Sequence, residues 1–98
     1  MAKKRIVWSP RAKHELTGVL DYFNKRNGDT IYSLKLLNQL EELLDTLSQS
    51  EFMGRLTSNK KTRVVIMKVY LVFYEIANDR IEILSFWDNR QDDSKRLL

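Results

Sequence analysis

Residues 63–86 constrain the fold of this chain more than any other segment, because they read as three consecutive short strands that are apolar on both faces. Successive side chains of a β-strand point to opposite faces, so a sheet with one solvated face alternates apolar and polar residues. Here both parities are apolar: Val72, Tyr74 and Ile76 on one, Leu71 and Phe73 on the other, with Leu84 and Phe86 following in the third strand. The two helices that precede the strands can cover only one face. The sequence therefore predicts that the face carrying Leu71, Phe73, Leu84 and Phe86 is open or awaits a binding partner.

The first helix has clear start and stop signals. Ser9 followed by Pro10 is typical of a helix start, with the serine as N-cap and the proline in the first turn. Apolar residues then follow at the spacing of one helical stripe: Ala12, Leu16, Val19, Leu20 and Phe23. The Asn27-Gly28 pair predicts the end of the helix, because glycine readily adopts the left-handed conformation of a C-cap.

The second helix is predicted from Asp29 or Thr30 to about Ser48. Its apolar stripe consists of six leucines: Leu36, Leu37, Leu40, Leu43, Leu44 and Leu47. In a chain of this size the stripe is more readily explained as a core-facing surface than as a coiled coil. Because the link between the helices is short, they are expected to form an antiparallel hairpin.

The order of the predicted elements is β-α-α-β-β-β. A strand at Arg5–Trp8 precedes the helices, and a polar connection, residues 49–62, leads to the antiparallel meander. The first strand is expected to join at a sheet edge. The fold class is α+β, a helical hairpin packed on one face of a small, twisted, mainly antiparallel sheet. The 98 residues are predicted to form one domain, 1–98, in which 88–98 is a polar C-terminal tail.

Several chemistries are disfavoured by the residues that the chain lacks. It has no cysteine for a disulfide or a thiolate metal site, and its three glycines do not form a phosphate-binding loop. His14 is the single histidine and falls on the solvent side of the first helix, so neither a metal nor a cofactor is expected. No apolar run approaches the roughly 20 residues of a membrane span, and the start lacks the apolar core of a signal peptide. A cytoplasmic location without membrane association is therefore expected.

Positive charge is concentrated in one segment. Between Gly54 and Tyr74 the chain has five basic residues and no acidic one: Arg55, Lys60, Lys61, Arg63 and Lys68. A stretch of one sign attracts polyanions or an acidic protein partner, although it can also be only solvated surface.

Arginines beside aromatic residues can clamp a phosphate and stabilise the charge that develops during strand cleavage. A nuclease also needs a group that moves protons. In the last strand and the tail the only candidates are aspartates: Asp88, Asp92 and Asp93. Unperturbed aspartates are too weakly basic for this work at neutral pH, so the catalytic set is incomplete.

Motifs along nearly the whole chain resemble one known family. They are IVWSPRAKHEL, GVLDYF, the Gly54-Arg55 pair, a hairpin with Arg63, Tyr70 and Tyr74-Glu75-Ile76, and the closing RIEILSFWDNRQD. Together and in this order they resemble the RelE/ParE superfamily, the toxins of bacterial type II toxin–antitoxin modules. The resemblance implies a small basic toxin and an antitoxin encoded beside it, which wraps an extended or helical segment over the toxin.

The resemblance implies two possible targets. RelE-like members cleave mRNA on the ribosome with basic residues of the sheet and a C-terminal His or Tyr, whereas ParE-like members poison DNA gyrase. Arg63 and Arg90 match positions of basic active-site residues in the RelE-like enzymes. However, no His or Tyr follows Arg90, and Leu71 stands where an arginine is frequent. These departures favour a ParE-like toxin that binds gyrase and is not an enzyme. The alternatives are a ribosome-dependent mRNA endoribonuclease and a non-toxic basic nucleic-acid-binding module.

The resemblance and the residue pattern together predict two binding surfaces. The residues expected to bind the target are Arg55, Lys60, Lys61, Arg63, Arg90 and Trp87. Those expected to bind the antitoxin are Leu71, Phe73, Leu84 and Phe86. The antitoxin segment is expected to be acidic and partly disordered when free.

Overall fold

The computed structural model describes residues 3–91 and 93–98, and it confirms the predicted α+β class with two helices and a five-stranded sheet. The elements in chain order are strand β1 (Arg5–Trp8), helix α1 (Pro10–Asn27), helix α2 (Ile31–Gln49), strands β2 (Arg55–Leu56), β3 (Arg63–Met67), β4 (Tyr70–Ile76) and β5 (Arg80–Asp88), and a 3-10 helix (Asp93–Lys95). The two-residue strand β2 lies inside the segment predicted as an irregular connection. Within the described residues, neither helix combines the length and the apolar character that a membrane span requires.

The strands lie in the order β1-β5-β4-β3-β2. Strands β3, β4 and β5 form the predicted antiparallel meander, and β2 adds antiparallel to β3. Strand β1 lies at the opposite edge, as predicted, and runs parallel to β5 with Arg5 opposite Arg80. A parallel neighbour is possible there because the chain travels through the whole helical hairpin and meander before it returns.

The caps of α1 form as the sequence predicts. The Ser9 hydroxyl accepts a hydrogen bond of 3.0 Å from the amide of Ala12, with Pro10 opening the helix. Gly28 ends the helix in the left-handed conformation with φ of 70°. The start of α2 differs, since Thr30 makes no capping bond and the Asp29 carboxylate instead accepts from the amide of Ile31 at 3.0 Å.

The main core lies between the helices and one face of the sheet, which we call the inner face. Its buried members are Ala12, Leu36, Leu40 and Leu47 from the helices, and Tyr70, Val72, Tyr74, Ile81, Ile83 and Phe86 from the sheet. The alternating residues Val72 and Tyr74 therefore face the helices, as the parity of β4 predicts.

A β-bulge interrupts the alternation of β5. Phe73 pairs with Ser85, whereas the next residue of β4, Tyr74, pairs with Ile83. Leu84 is therefore an extra residue in β5, without a partner of its own. An extra residue shifts the parity of every residue beyond it, so the end of β5 does not continue the pattern of its beginning.

The predicted position of Phe86 on the open face is wrong because of this bulge. Phe86 is 1% exposed, belongs to the helix-side core and stacks on Tyr70 with ring centroids 4.8 Å apart. Trp87 takes the place expected of Phe86 on the other face, where it is 6% exposed and lies opposite Leu71.

The outer face of the sheet, which faces away from the helices, is covered in part by the chain's own C-terminal tail. Its buried cluster consists of Val64, Leu71, Phe73 and Trp87, with Leu84 and Leu97 packed against it. Leu97 follows the 3-10 helix, which Arg11 holds by donating a 2.8 Å hydrogen bond to the carbonyl of Lys95. The prediction of an open face is therefore wrong for Phe73, whose side chain is 2% exposed.

Candidate functional site

A groove of about 400 Å³ remains on the outer face beside the tail, and we call it the outer groove. It is lined by Arg55, Leu56, Thr57, Ser58, Val64, Ile66, Leu71, Phe73, Asn89, Arg96 and Leu98. Its floor is the buried apolar cluster, and its walls include the exposed side chains of Leu56 (43% exposed) and Ile66 (65%). Among the described lining residues, the charged side chains are those of Arg55 and Arg96, both positive, and Arg96 is paired with Asp93 at 3.6 Å. The groove therefore favours an apolar segment that carries negative charge.

The groove borders an unpaired stretch of strand edge. Strand β2 pairs only with Arg63 and Val64 of β3. Among the described residues no strand lies on that side of Val65, Ile66 and Met67, so their outward backbone groups are available for another strand. An exposed edge beside an apolar groove is a typical docking place for an extended peptide.

A turn between β2 and β3 presents the basic residues of this end of the sheet. The side-chain oxygen of Asn59 accepts hydrogen bonds from the amides of Lys61 and Thr62 at 2.9 and 2.8 Å, and this fixes the turn. Lys60 adopts a left-handed conformation with φ of 60°. Lys61 is exposed and lies 3.7 Å from the carboxylate of Glu75, a separation at which a surface ion pair contributes little.

Arg63 is held by the chain itself. Its guanidinium donates a 2.8 Å hydrogen bond to the carbonyl of Gly54 and lies over the ring of Phe52, 5.0 Å from the centroid. The Tyr74 hydroxyl accepts from the amide of Gly54 at 2.9 Å and donates to the carbonyl of Glu51 at 2.8 Å. Arg63 and Tyr74 thus fix the loop that leads into β2, and the close approach of Tyr74 explains the glycine at position 54.

Arg90 lies at the far end of β5 and is paired with an aspartate. Its side chain donates to both carboxylate oxygens of Asp88 at 3.0 and 2.7 Å, and its amide donates to the same group at 2.9 Å. The guanidinium holds the pKa of Asp88 below its usual value. The side chain of Asp88 is 11% exposed whereas that of Arg90 is 60% exposed. The largely buried carboxylate therefore holds the accessible guanidinium of Arg90 in a fixed orientation.

Arg63 and Arg90, which would belong to one active site if the protein were a RelE-like nuclease, lie apart in the structure. Arg63 pairs with Tyr74 at one end of β4, and Asp88, which holds Arg90, pairs with Tyr70 at the other. Four residues of strand correspond to about 13 Å. Of the aspartates considered as proton carriers, Asp93 is exposed in the tail and paired with Arg96 at 3.6 Å. Asp92 lies outside the described residues.

Comparison with known proteins agrees with this architecture. The family model for the ParE toxin of the type II toxin–antitoxin system parDE matches residues 6–93. The chain belongs to the ParE toxin family. No curated protein sequence matches it significantly. Among solved structures, its fold is similar to that of a chain from the chromosomal ParDE TA system of P. aeruginosa, with a TM-score of 0.72 and 18% identity. The match covers 86% of this chain and 94% of the other.

Membership of the ParE family confirms the predicted resemblance, and with it the assignment as a type II toxin. The structure groups the predicted target residues Arg55, Lys60 and Lys61 around the β2–β3 turn, with Arg63 beside them. Arg90 lies apart from this group. Trp87 is buried, so its predicted place on a target-binding surface is wrong.

Sequence reasoning missed four apolar groove residues of this ParE-family chain: Leu56, Val64, Ile66 and Leu98. Leu56 belongs to the unpredicted strand β2, and Leu98 to the tail. Ile66 lies in a predicted strand. Its position near the strand end, beside basic residues, is a signal that could have identified it.

The two glycines Gly54 and Gly18 predict opposite effects of the same substitution. A Cβ at Gly54 would lie 2.5 Å from the Tyr74 hydroxyl, whereas nothing lies within 4 Å of one at Gly18. Gly54→Ala is expected to destabilise the domain by about 1–3 kcal/mol through overpacking. Gly18→Ala, in a helix interior, is expected to stabilise it by about 0.5–1 kcal/mol. Urea unfolding of both variants measures the difference, and equal stabilities would contradict the close approach at Gly54.

The buried tyrosines predict loss of stability at high pH. Burial raises the pKa of Tyr70, and the hydrogen bond with the Tyr32 hydroxyl (3.3 Å) raises it further. Above pH of about 10 the unfolded chain releases this proton while the folded chain keeps it, so stability falls by up to about 1.4 kcal/mol per pH unit. Tyr70→Phe is expected to reduce this slope in urea unfolding between pH 9 and about 11. An unchanged slope would show that Tyr70 titrates alike in both states.

Proposed function

We propose that this ParE-family toxin inhibits growth by binding DNA gyrase, without itself being an enzyme. We further propose that a cognate antitoxin neutralises it by placing an acidic, partly apolar segment in the outer groove. The exposed cations around the β2–β3 turn, together with Arg90, form the proposed target-binding residues.

The separation of Arg63 and Arg90 is the observation that favours binding over cleavage. Phosphate-cleaving sites converge several cations and a proton carrier on one phosphate. Here the two arginines lie at opposite ends of β4, and each directs donors to a group of its own chain. Such an arrangement suits a broad contact with a macromolecule better than one reaction centre.

The outer groove supports the antitoxin part of the proposal through shape and charge. Its floor contains the predicted residues Leu71 and Phe73, with Leu84 packed against the same cluster. Because Leu71 and Phe73 are already buried and Leu84 is partly buried, the additional apolar contact comes from Leu56 and Ile66 at the rim. The basic residues nearby speed the approach of an acidic segment more than they add to its affinity.

A segment that is disordered when free loses conformational entropy on binding, which lowers its affinity for a given contact area. It also remains open to proteolysis while unbound. Removal of the antitoxin by a protease would then release the toxin, and the basic residues around the β2–β3 turn would become available to the target. We propose that the antitoxin acts by competing with the target for these basic residues.

Two assays on one preparation test the target. Purified toxin is added to a DNA gyrase supercoiling reaction and to a ribosome-programmed mRNA cleavage reaction. Inhibition of supercoiling without mRNA cleavage supports the proposal. Cleaved mRNA would overturn it in favour of a RelE-like endoribonuclease. Conditional expression that leaves bacterial growth unaffected would instead favour the non-toxic nucleic-acid-binding alternative.

Arg90→Ala is expected to reduce toxicity and gyrase inhibition while the domain stays folded. The side chain is 60% exposed, and Asp88 still accepts a hydrogen bond from the amide of residue 90 in the variant. Growth after induction at matched abundance provides the measurement, with the circular dichroism spectrum as a control for folding. Full toxicity of a folded variant would remove Arg90 from the target surface.

A further inference from the structure

A second concave site, separate from the outer groove, lies between α1 and the end of β5. This cleft has a volume of about 580 Å³, within the range of about 300–1,000 Å³ that is usual for small-molecule sites. Helix α1 contributes His14, Gly18, Tyr22 and Arg26, which are spaced four residues apart and so follow one helical stripe. The facing wall is formed by Phe86, Trp87, Asp88, Arg90 and Gln91.

Gly18 keeps the middle of the cleft open. Glycine in a helix interior costs about 1 kcal/mol relative to alanine, so its presence usually reflects a close packing contact. No atom lies within 4 Å of a Cβ built at Gly18, so packing does not explain the glycine. The bare helix surface instead leaves room between His14 and Tyr22, whose ring is 56% exposed.

Among the described residues two carboxylates line the cleft, and both are engaged by the protein. Glu15 accepts hydrogen bonds from the Ser85 hydroxyl at 2.7 Å and from the amide of Phe86 at 3.1 Å. Asp88 accepts from the guanidinium of Arg90, as described above. Glu15 also lies 3.4 Å from the guanidinium of Arg11, so each of these carboxylates has a cation beside it that offsets its repulsion of an anion.

Unused hydrogen-bond donors remain on this cleft. In the described part of the chain, Arg26 makes one side-chain hydrogen bond, of 3.2 Å to the Tyr22 hydroxyl, and no ion pair. Arg90 is held in a fixed orientation by Asp88 and is still 60% exposed.

We propose that this cleft binds a nucleoside monophosphate. The phosphate lies between Arg26 and Arg90, because planar guanidinium groups match phosphate oxygens in charge and geometry. The base lies over Gly18 against the Tyr22 ring, since aromatic side chains stack on the flat face of any nucleobase. The proposal does not depend on the antitoxin or on the gyrase target, although Arg90 borders both the cleft and the proposed target surface.

The test uses the full chain, labelled with nitrogen-15, and three probes: AMP, adenosine and inorganic phosphate. The chain has three glycines, and the loss of one amide signal in Gly18→Ala assigns the signal of Gly18, which lines the cleft. AMP is expected to shift the Gly18 signal with a Kd of about 1 mM or tighter, and each partial probe is expected to bind at least about 10-fold more weakly. No shift with AMP, or equal binding of phosphate alone, would overturn the proposal.

Three variants locate the nucleotide. Arg26→Gln is expected to weaken AMP binding by about 10-fold or more, because it removes a charge-assisted hydrogen bond. Gly18→Leu is expected to abolish binding by filling the cleft. Thr17→Leu changes an exposed residue of α1 that does not line the cleft, so it is expected to leave binding unchanged and controls for an added leucine on the helix. Thermal unfolding confirms that each variant is folded. Undiminished AMP binding by Gly18→Leu would place the nucleotide elsewhere and overturn the site.

Discussion

Phe73→Glu is expected to unfold the domain. Phe73 is 2% exposed and packs with Val64, Leu71 and Trp87 under the C-terminal tail. Truncation of a buried phenylalanine alone costs about 3–5 kcal/mol, and burial of a carboxylate without a partner costs more. A domain of this size has a total stability of about 5–10 kcal/mol, so the variant loses most or all of it. Near-ultraviolet circular dichroism and urea unfolding measure the effect.

Phe73→Leu provides the matched control, since it keeps an apolar side chain and leaves only a small cavity. It is expected to fold, with a loss of at most a few kcal/mol. If Phe73→Glu instead folds normally and fails only to bind a partner, the tail does not cover the outer face in solution. The distinction matters because a residue that holds the domain together cannot report on docking alone.

The helical half of the molecule was predictable from the sequence because its signals are local. Ser9, Pro10 and Gly28 define α1 through capping interactions that involve only neighbouring residues. The leucine stripe of α2 follows from helical periodicity, and Leu36, Leu40 and Leu47 are buried as that stripe requires. Local capping signals and tertiary packing agree here, so the sequence pattern was sufficient to predict the helices and their buried faces.

The faces of β5 were not predictable in the same way. Alternation assigns Leu84 and Phe86 to one face, but the bulge at Leu84 shifts all later residues by one position. The bulge depends on pairing with β4 and has no distinct residue signature here. Phe86 therefore lies in the inner core, the reverse of the expectation, and Trp87 lies on the outer face.

Whether the outer face is covered depends on the C-terminal tail, which could be predicted from the sequence only as a polar segment. The tail contributes Leu97 to the outer cluster and Leu98 to the groove, and it is tied to α1 by the bond from Arg11 to the carbonyl of Lys95. A contact between residues 11 and 95 has no signal in composition or periodicity. The family, in contrast, was recognisable because its motifs extend along nearly the whole chain.

The outer groove and the free edge of β3 meet at Ile66, which therefore gives the sharpest test of antitoxin docking. Ile66 is 65% exposed and lies beyond the two residues that β2 pairs. An antitoxin segment that adds to this edge would cover its side chain, which contributes about 1.5–3 kcal/mol when fully buried. An acidic segment would also be repelled by a carboxylate at this position.

Ile66→Glu is expected to fold normally but to weaken antitoxin binding by about 10-fold to 100-fold or more, since each 1.4 kcal/mol corresponds to a factor of ten. Ile31→Glu is the matched control, because Ile31 is 62% exposed on α2 and does not line the groove. It introduces the same charge at similar exposure and is expected to leave binding unchanged. Co-purification with the antitoxin encoded beside the toxin, followed by a binding titration, compares the two variants. If both bind as tightly as the parent, the antitoxin docks elsewhere. If both fail equally, added negative charge is responsible and the groove is not identified as the site.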